Sequence, residues 1–353
     1  MKGIILHGGY GTRLRPLTYA RPKQLLPIAN IPMSQYGLIS LKNAGITDVA
    51  VIIGGDNSQK VKDYYGNGEK FGVNISYVTQ DEPKGISHAI GLCESFIGNE
   101  KFVVFLGDNI LLKEITESVK DFEKSDYDAK ILLCEVSNPS QFGIADVDGN
   151  GMIKKIMEKP KNPPTNLAVI GIYFLTPVIF GIIKKLKPSW RNELEITDAL
   201  QMLLESNHKI SYDTITKYWK DTGTVDDIID ANKTILENMT PVFEGKKDDG
   251  VTINGKIIVG KNSMIKKGVS ITGPVLIGDN CVIEGVSKIG PNVSVGNNAH
   301  IQNCTIEDSI VMDGVTIDCK ITLSKSIVSY NSRITWKGEK SSIIVCEDSK
   351  LEL

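Results

Sequence analysis

Nine aliphatic residues, Ile253, Val259, Ile265, Ile271, Ile277, Ile283, Ile289, Val295 and Ile301, stand at an unbroken stride of six. That stride matches neither the 3.6-residue turn of a helix nor the two-residue alternation of a half-buried strand. Two positions before each stands Val251, Ile257, Ser263, Val269, Val275, Cys281, Ser287, Val293 or Ala299, mostly small or β-branched side chains suited to a tight corner, and Asn and Gly fill the turns. Six-residue edges stacked as a triangular coil bury one aliphatic ladder per face, which is the pattern of a parallel β-helix. An irregular β-rich tail would not repeat nine times in phase. After Ile301 the phase slips by one residue, to Ile306 and Met312, which predicts a less regular coil toward the C-terminus.

The earlier part of the chain lacks this rhythm. Short aliphatic runs at Gly3 to Leu6, Val49 to Ile53, Ile75 to Val78 and Phe102 to Leu106 predict buried strands, separated by segments long enough for helices. Runs that are apolar on consecutive residues are expected where helices cover both faces of a largely parallel sheet, and ligands then bind beyond the strand C-termini. Leu6 leads into His7-Gly8-Gly9-Tyr10-Gly11-Thr12-Arg13 and Leu106 into Gly107-Asp108-Asn109, so both runs deliver polar groups to one sheet edge. The length of 353 residues fits two domains, an α/β domain over 1–240 and a coil over 250–353.

Charge and apolar content exclude several partners. Lys plus Arg number 40 against 42 Asp plus Glu, a net charge of -2, which leaves no basic excess to attract nucleic acid or an anionic membrane. The opening apolar run, Met1 to Leu6, is too short for a signal peptide, and no stretch approaches the roughly 20 apolar residues of a membrane span, so a cytoplasmic protein is expected. Cys93, Cys134, Cys281, Cys304, Cys319 and Cys346 form no CxxC pair and read as buried free thiols.

The glycines after Leu6 let backbone N–H groups approach a phosphate chain without interference from Cβ. A tight strand-to-helix turn would explain them equally well if they stood alone. Neither the dinucleotide-binding GxGxxG nor the Walker pattern fits, because Arg13 occupies the third glycine position and no Lys-Ser/Thr pair follows. Arg21-Pro22-Lys23-Gln24-Leu25-Leu26-Pro27 follows, placing Arg13 and Lys23 ten residues apart around a proline-stiffened loop. The whole stretch GGYGTRLRPLTYARPKQLLPI resembles the signature of the sugar nucleotidyltransferases, and in particular of the glucose-1-phosphate thymidylyltransferases.

The resemblance implies a Rossmann-like nucleotidyltransferase domain followed, as in the long forms of the family, by a left-handed β-helix of the hexapeptide type. It implies that Arg13 and Lys23 grip the triphosphate, opposite accumulating negative charge. Leu6, Gly8, Gly9, Gly11 and Thr12 would surround the nucleotide, and Gln80 and Gly85 of Gln80-Asp81-Glu82-Pro83-Lys84-Gly85 would hydrogen-bond its base. Asp108, and Asp221 in Tyr218-Trp219-Lys220-Asp221-Thr222-Gly223, resemble the two metal-binding carboxylates of the family. Magnesium accepts a few carboxylate oxygens and completes its shell with phosphate and water, so two aspartates suffice, although either alone could cap a helix or turn. Lys159 and Arg191 would hold the phosphate of the sugar. Glu158, Gly143, Asn166, Val169 and Gly171 would line the hexose pocket, supported by Glu195, while Glu193 and Asp198 read as surface charges. His88 reads as a helix-surface histidine with no catalytic role.

Two residues depart from the family pattern. His7 stands where Ala or Ser is usual, which puts an imidazole beside the nucleotide, and Asn192 stands where glycine is usual before Glu193, which would alter loop shape more than chemistry. The implied reaction is dTTP plus glucose 1-phosphate giving dTDP-glucose and pyrophosphate. At pH 7 a sugar phosphate is already an anionic nucleophile, so positioning and cations are sufficient and no general base is required. A direct in-line displacement without covalent intermediate follows. An alternative is a uridylyltransferase that uses UTP with glucose or N-acetylglucosamine 1-phosphate, since Gln80 can pair with uracil as readily as with thymine. Another alternative is a catalytically silent subunit that senses nucleotide sugars, which intact Arg13, Lys23, Asp108 and Asp221 oppose. Hexapeptide coils also occur in acetyltransferases, but the one coil histidine, His300, lies outside a recognisable acetyl-CoA motif. Building a homo-oligomer is the expected task of the coil.

Overall fold

The computed structural model describes residues 1–9, 11–55, 57–336, 347 and 350–352; Tyr10 of the glycine loop and Cys346 lie outside the described residues. The chain gathers into two compact units, Met1–Tyr10 with Met33–Asp221, and Gly11–Pro32 with Thr222–Leu353.

The first unit is built on strands β1 (Lys2–Leu6), β2 (Asp48–Ile53), β3 (Asn74–Thr79), β4 (Phe102–Leu106), β5 (Asn109–Leu111), β6 (Ala129–Glu135), β7 (Gly143–Val147), β8 (Ile153–Glu158), β9 (Leu167–Leu175), β10 (Ile210–Ile215) and β11 (Trp219–Asp221). The four aliphatic runs of the sequence are β1 to β4. They pair in parallel, with β1 between β2 and β4 and with Leu6 opposite both Ile52 and Leu106. Helices such as Met33–Asn43 and Ile196–Glu205 intervene. The sheet runs β8-β7-β9-β4-β1-β2-β3, and β9 joins β4 antiparallel while also pairing with β6, which carries β10. Because β9 runs against β4, its N-terminal half lies beside the C-terminal ends of the parallel strands. Ile4, Val104, Ile52 and Ile131 form part of a continuous buried cluster, which explains why β1, β2 and β4 read as unbroken apolar runs; the expectation of a buried strand fails for β3, which ends the sheet and has no buried residue.

The second unit contains a left-handed parallel β-helix of three sheets. Val259, Ile277 and Val295 stack on one face, Ile265, Ile283 and Ile301 on the second, Ile271 and Ile289 on the third, all buried. The corners carry their own ladder: the backbone N–H groups of Lys261, Asp279 and Asn297 donate to the Oδ1 atoms of Asp279, Asn297 and Asp313, at 2.7, 2.8 and 2.8 Å. Asn262, Asn280 and Asn298 follow with left-handed φ of 59°, 56° and 56°, a conformation asparagine tolerates better than most residues. The coil beyond Ile301 is shorter per turn yet still paired. Val282 pairs with His300, eighteen residues on, whereas Ser294 pairs with Ile310, sixteen on, and Thr316 with Arg333, seventeen on. The ladder therefore passes through Val311, opposite Val295, rather than through Met312, because corners such as Asn303-Cys304 use one residue fewer than Gly285-Val286-Ser287.

The same unit holds a one-turn helix at Thr12–Leu14, another at Lys23–Leu25, a hairpin of Pro27–Ile28 with Ile31–Pro32, and the helix Val225–Asn238, which opens on a capping box of Thr224 and Asp227. Among the described residues no helix is long and apolar enough to cross a membrane. Cys93, Cys281, Cys304 and Cys319 are buried free thiols and Cys134 is half-buried; burial pushes the Cys93 thiol up to about 12.

Candidate active site

In the first unit, the C-terminal ends of β1 to β4 meet at one edge. His7 N donates to Ile52 O at 2.9 Å, Gln80 N to Ile53 O at 2.8 Å and Gly107 N to Leu6 O at 3.0 Å. Beyond these ends Gly8, Gly9, Gly54, Gly55, Gln80, Asp81 and Pro83 line a crevice. The Gln80 amide is buried, and its Nε2 lies 3.0 Å from His88 Nδ1. Its Oε1 faces Gly8, where a Cβ would come within 3.1 Å of it. His88 is thus not an ordinary surface histidine: it fixes the orientation of the side chain expected to read the base. Gly85 has φ 103°, and a Cβ there would lie 2.6 Å from the Leu194 backbone, so no other residue fits. Lys84 O accepts from Leu194 N at 2.8 Å and Leu194 O accepts from Ser87 N at 3.0 Å, which bonds the expected base loop to the expected sugar loop.

Two very short strands unite the aspartates. β11 pairs antiparallel with β5, with Asp221 opposite Asn109, the neighbour of Asp108. Neither aspartate caps a helix here, since strands adjoin both and Thr224 caps the helix that follows. Asn109 is buried; its Nδ2 donates to Asp108 Oδ1 at 3.0 Å and its Oδ1 accepts from Trp219 Nε1 at 2.7 Å, so the indole orients the amide and the amide orients the carboxylate. Gly171 on β9 makes room for this pair, because a Cβ would stand 2.8 Å from the Asn109 amide. The buried Tyr173 phenol gathers the fields of four carboxylates: burial first, then Glu158, Asp108, Asp221 and Glu195, raise its pKa. Among the described residues no group of three or more His, Cys, Asp or Glu side chains is arranged to hold a metal alone. The donor set, two carboxylates at a strand edge, suits a hard cation that takes its remaining oxygens from phosphate and water.

His7 is buried beside this edge with its ring 5.8 Å from that of Tyr65, and neither ring nitrogen has a hydrogen-bond partner among the described residues. Burial lowers its pKa to about 3, against the opposing pull of Asp108.

On the sugar side, the β7–β8 hairpin sets Glu158 opposite Gly143. Glu158 accepts from Thr197 Oγ1 at 2.9 Å and from Arg191 Nη1 at 3.2 Å. Arg191 also donates to Glu195 at 3.3 Å and to Glu193 at 3.2 Å, and Lys159 Nζ lies 3.9 Å from Glu158. Glu193 is therefore no bare surface charge, and Asp198 is half-buried with its carboxyl pushed up by burial and by Glu195. Burial, then the nearby Glu195 carboxylate, raises the Glu158 pKa. Asn192 has φ 62°, a left-handed conformation that glycine adopts freely and asparagine tolerates. Asn166 precedes β9 and accepts from Val136 N at 3.0 Å; Val169 and Gly171 lie within β9.

In the second unit, Gly11 has φ 59° and accepts from Thr18 Oγ1 at 2.8 Å, while Thr12 and Arg13 lie in the one-turn helix that follows. Gly223 packs against the Arg13 guanidinium, where a Cβ would come within 3.2 Å of Nη1. Lys23 opens its own short turn and is buried. Sequence reasoning missed Asn109, Trp219, Tyr173 and Thr197 and undervalued His88. The GDN triplet was a signal for Asn109; Tyr173 gave none, being one aromatic in an apolar run.

A family model described as nucleotidyl transferase matches residues 2–238, and one described as the GMPPB C-terminal domain matches residues 271–352. The low-salt glycan biosynthesis nucleotidyltransferase Agl11 of Haloferax volcanii is 46% identical over 263 residues, 74% of this chain and 74% of its own length. A glucose-1-phosphate thymidylyltransferase of Streptomyces antibioticus is 42% identical over 266 residues, 75% of this chain and 74% of its own. A Bacillus anthracis protein described as a glucose-1-phosphate thymidylyltransferase, crystallised with sucrose, is 40% identical with a TM-score of 0.64, covering 69% of this chain and 98% of that one.

Proposed function

We propose, from the premise that the chain belongs to the nucleotidyl transferase family, that it is a glucose-1-phosphate thymidylyltransferase, converting dTTP and glucose 1-phosphate to dTDP-glucose and pyrophosphate. The observation that carries the chemistry is the strand pairing that sets Asp221 opposite Asn109, the neighbour of Asp108, at the sheet edge where the glycine-lined crevice opens. On this reading Asp108 and Asp221 hold Mg²⁺, which when bound neutralises phosphate oxygens and orients them. Arg13 and Lys23 grip the triphosphate, with Leu6, Gly8, Gly9, Gly11 and Thr12 beside it. Gln80, held by His88, and Gly85 read the base. Lys159 and Arg191 receive the sugar phosphate; Glu158 and Glu195, oriented by Arg191, Thr197 and Ser189, meet hydroxyls of the hexose beside Gly143, Asn166, Val169 and Gly171.

The phosphate oxygen of the sugar attacks the α-phosphorus as an anion, so the chain has only to align two polyanions and stabilise the departing pyrophosphate. In this reading residues 1–240 do the chemistry in the cytoplasm and the coil over 250–353 builds a homo-oligomer. The test is pyrophosphate release over a grid of triphosphates and sugar 1-phosphates, with and without Mg²⁺. Fastest turnover of dTTP with glucose 1-phosphate, lost without the cation, is expected. Preference for UTP would move the activity to a uridylyltransferase, and no release from any pair would sink the enzymatic reading in favour of a sensing subunit.

A further inference from the structure

We infer that the coil is a positioning element for the loop that bears Lys23, acting through two braces that flank that residue in sequence. This rests on the triphosphate role proposed above for Lys23.

The first brace holds the hairpin that follows Lys23. Its tip, Ala29 and Asn30, has left-handed φ of 47° and 62°, and for alanine that conformation costs about 1 kcal/mol. The tip is tied down from outside. Ala29 N donates to Asn232 Oδ1 at 2.8 Å, and the same oxygen accepts from Ser294 Oγ at 2.9 Å; Asn30 Nδ2 donates to Val295 O at 2.7 Å. Asn232 belongs to the helix Val225–Asn238, and Ser294 and Val295 belong to the coil. Ser294 is the middle residue of its edge, between the inward-facing Val293 and Val295, so its side chain points out of the coil; yet it is fully buried. An outward serine without exposure, bonded to an asparagine that also holds the hairpin, marks a coil face built to receive another segment. Two buried donors on one amide oxygen form a small polar network, where misplacement of any member leaves the others unsatisfied.

The second brace lies just before Lys23. Arg21 Nε donates to Glu347 Oε2 at 2.9 Å and Nη2 to Oε1 at 2.7 Å, a two-pronged pair, and the guanidinium lies 4.0 Å over the ring of Tyr330. Both partners come from the last part of the coil sequence. The Glu347 side chain is only 10% exposed and that of Arg21 27%, so solvent screens the pair less than an open surface contact. Between the braces runs Pro22-Lys23-Gln24-Leu25-Leu26, whose lysine is itself buried. A charge meant to meet a phosphate loses much of its effect with a displacement of about 1 Å, so fixing the chain on both sides is a direct way to hold it.

The test is steady-state kinetics and thermal melting of the full chain with dTTP, glucose 1-phosphate and Mg²⁺. Glu347→Gln and Ser294→Ala should each raise KM for dTTP roughly tenfold while KM for glucose 1-phosphate stays within error, with at most a fall of a few degrees in Tm. Arg21→Glu should do the same, and Arg21→Glu combined with Glu347→Arg should recover at least half of the loss. If Glu347→Gln and Ser294→Ala leave KM for dTTP unchanged, or raise both KM values together with a fall in Tm, the braces are merely structural and the inference is overturned. Lys23→Ala separates the two readings. Its loss of activity with unaffected brace variants condemns the inference alone, whereas full activity of Lys23→Ala condemns the triphosphate role and the inference with it.

Discussion

The sheet unit and the coil bury polar groups by opposite rules. Inside the coil Ser263, Ser287, Ser309 and Ser326 are buried, and each hydroxyl donates to a nearby backbone carbonyl, those of Gly278, Glu284, Glu307 and Ser324. At the strand edge of the sheet unit His7 is buried with neither ring nitrogen partnered among the described residues, and burial, then the nearby Glu195 carboxylate, pushes the Glu158 carboxyl up. A repeat can satisfy every buried group because each turn meets a near copy of itself. A site can keep some groups in an unfavourable setting that substrate relieves.

That contrast can be broken most sharply at Asp108. Asp108→Ala should lower turnover in a pyrophosphate-release assay by roughly 10³-fold, about 4 kcal/mol of transition-state stabilisation, with Tm unchanged or raised, because a like charge leaves a crowded edge. Turnover within threefold of the parent would remove the edge from the chemistry. In the coil the effect should be the reverse. Ile283→Ala, in the middle of a fully buried ladder, should cost about 3 kcal/mol in urea unfolding and leave kcat of the folded protein intact, and a loss below about 1 kcal/mol would show that the ladder is not close-packed. The smallest effect concerns His7. Its folded pKa of about 3 lies below the ordinary 6.5, so the unfolded chain takes the proton first. The stability contributed by the neutral buried ring is present above pH 6.5 and is lost as pH falls from there toward 3. Between pH 6.5 and 5.5 the parent should lose about 1 kcal/mol that His7→Ala keeps, read from urea midpoints at the two pH values. Equal losses in both proteins would mean that His7 is not held neutral.

The two regions also differ in how far the sequence disclosed them. The coil was legible because a stride of six survives nine repeats, and β1, β2 and β4 were legible because strands inside the sheet are aliphatic on consecutive residues, whereas β3 ends the sheet and none of its residues is buried. β5 and β11 were not, since three residues carry no period, yet their pairing is what joins Asp108 to Asp221. Tyr173 and Thr197 act through tertiary neighbours only, on strand and helix positions that look like ordinary packing. Arg191 was visible as a cation with Glu193 and Glu195 beside it in sequence, but its third carboxylate partner, Glu158, lies 33 residues away and is brought to it by the β7–β8 hairpin. The slip after Ile301 was visible as a break, while the shorter corners that absorb it were not.

Those corners have a consequence for the length of the protein. In an ordinary strand the loss of one residue turns every following side chain to the opposite face. Here eighteen residues give way to sixteen and then seventeen between stacked partners, and Ile317 and Ile334 still point inward. Deletions that fall at a bend are thus invisible to the interior, so such a tail can drift in residue number through single-codon losses while its stack of rungs, and anything docked along it, stays where it was.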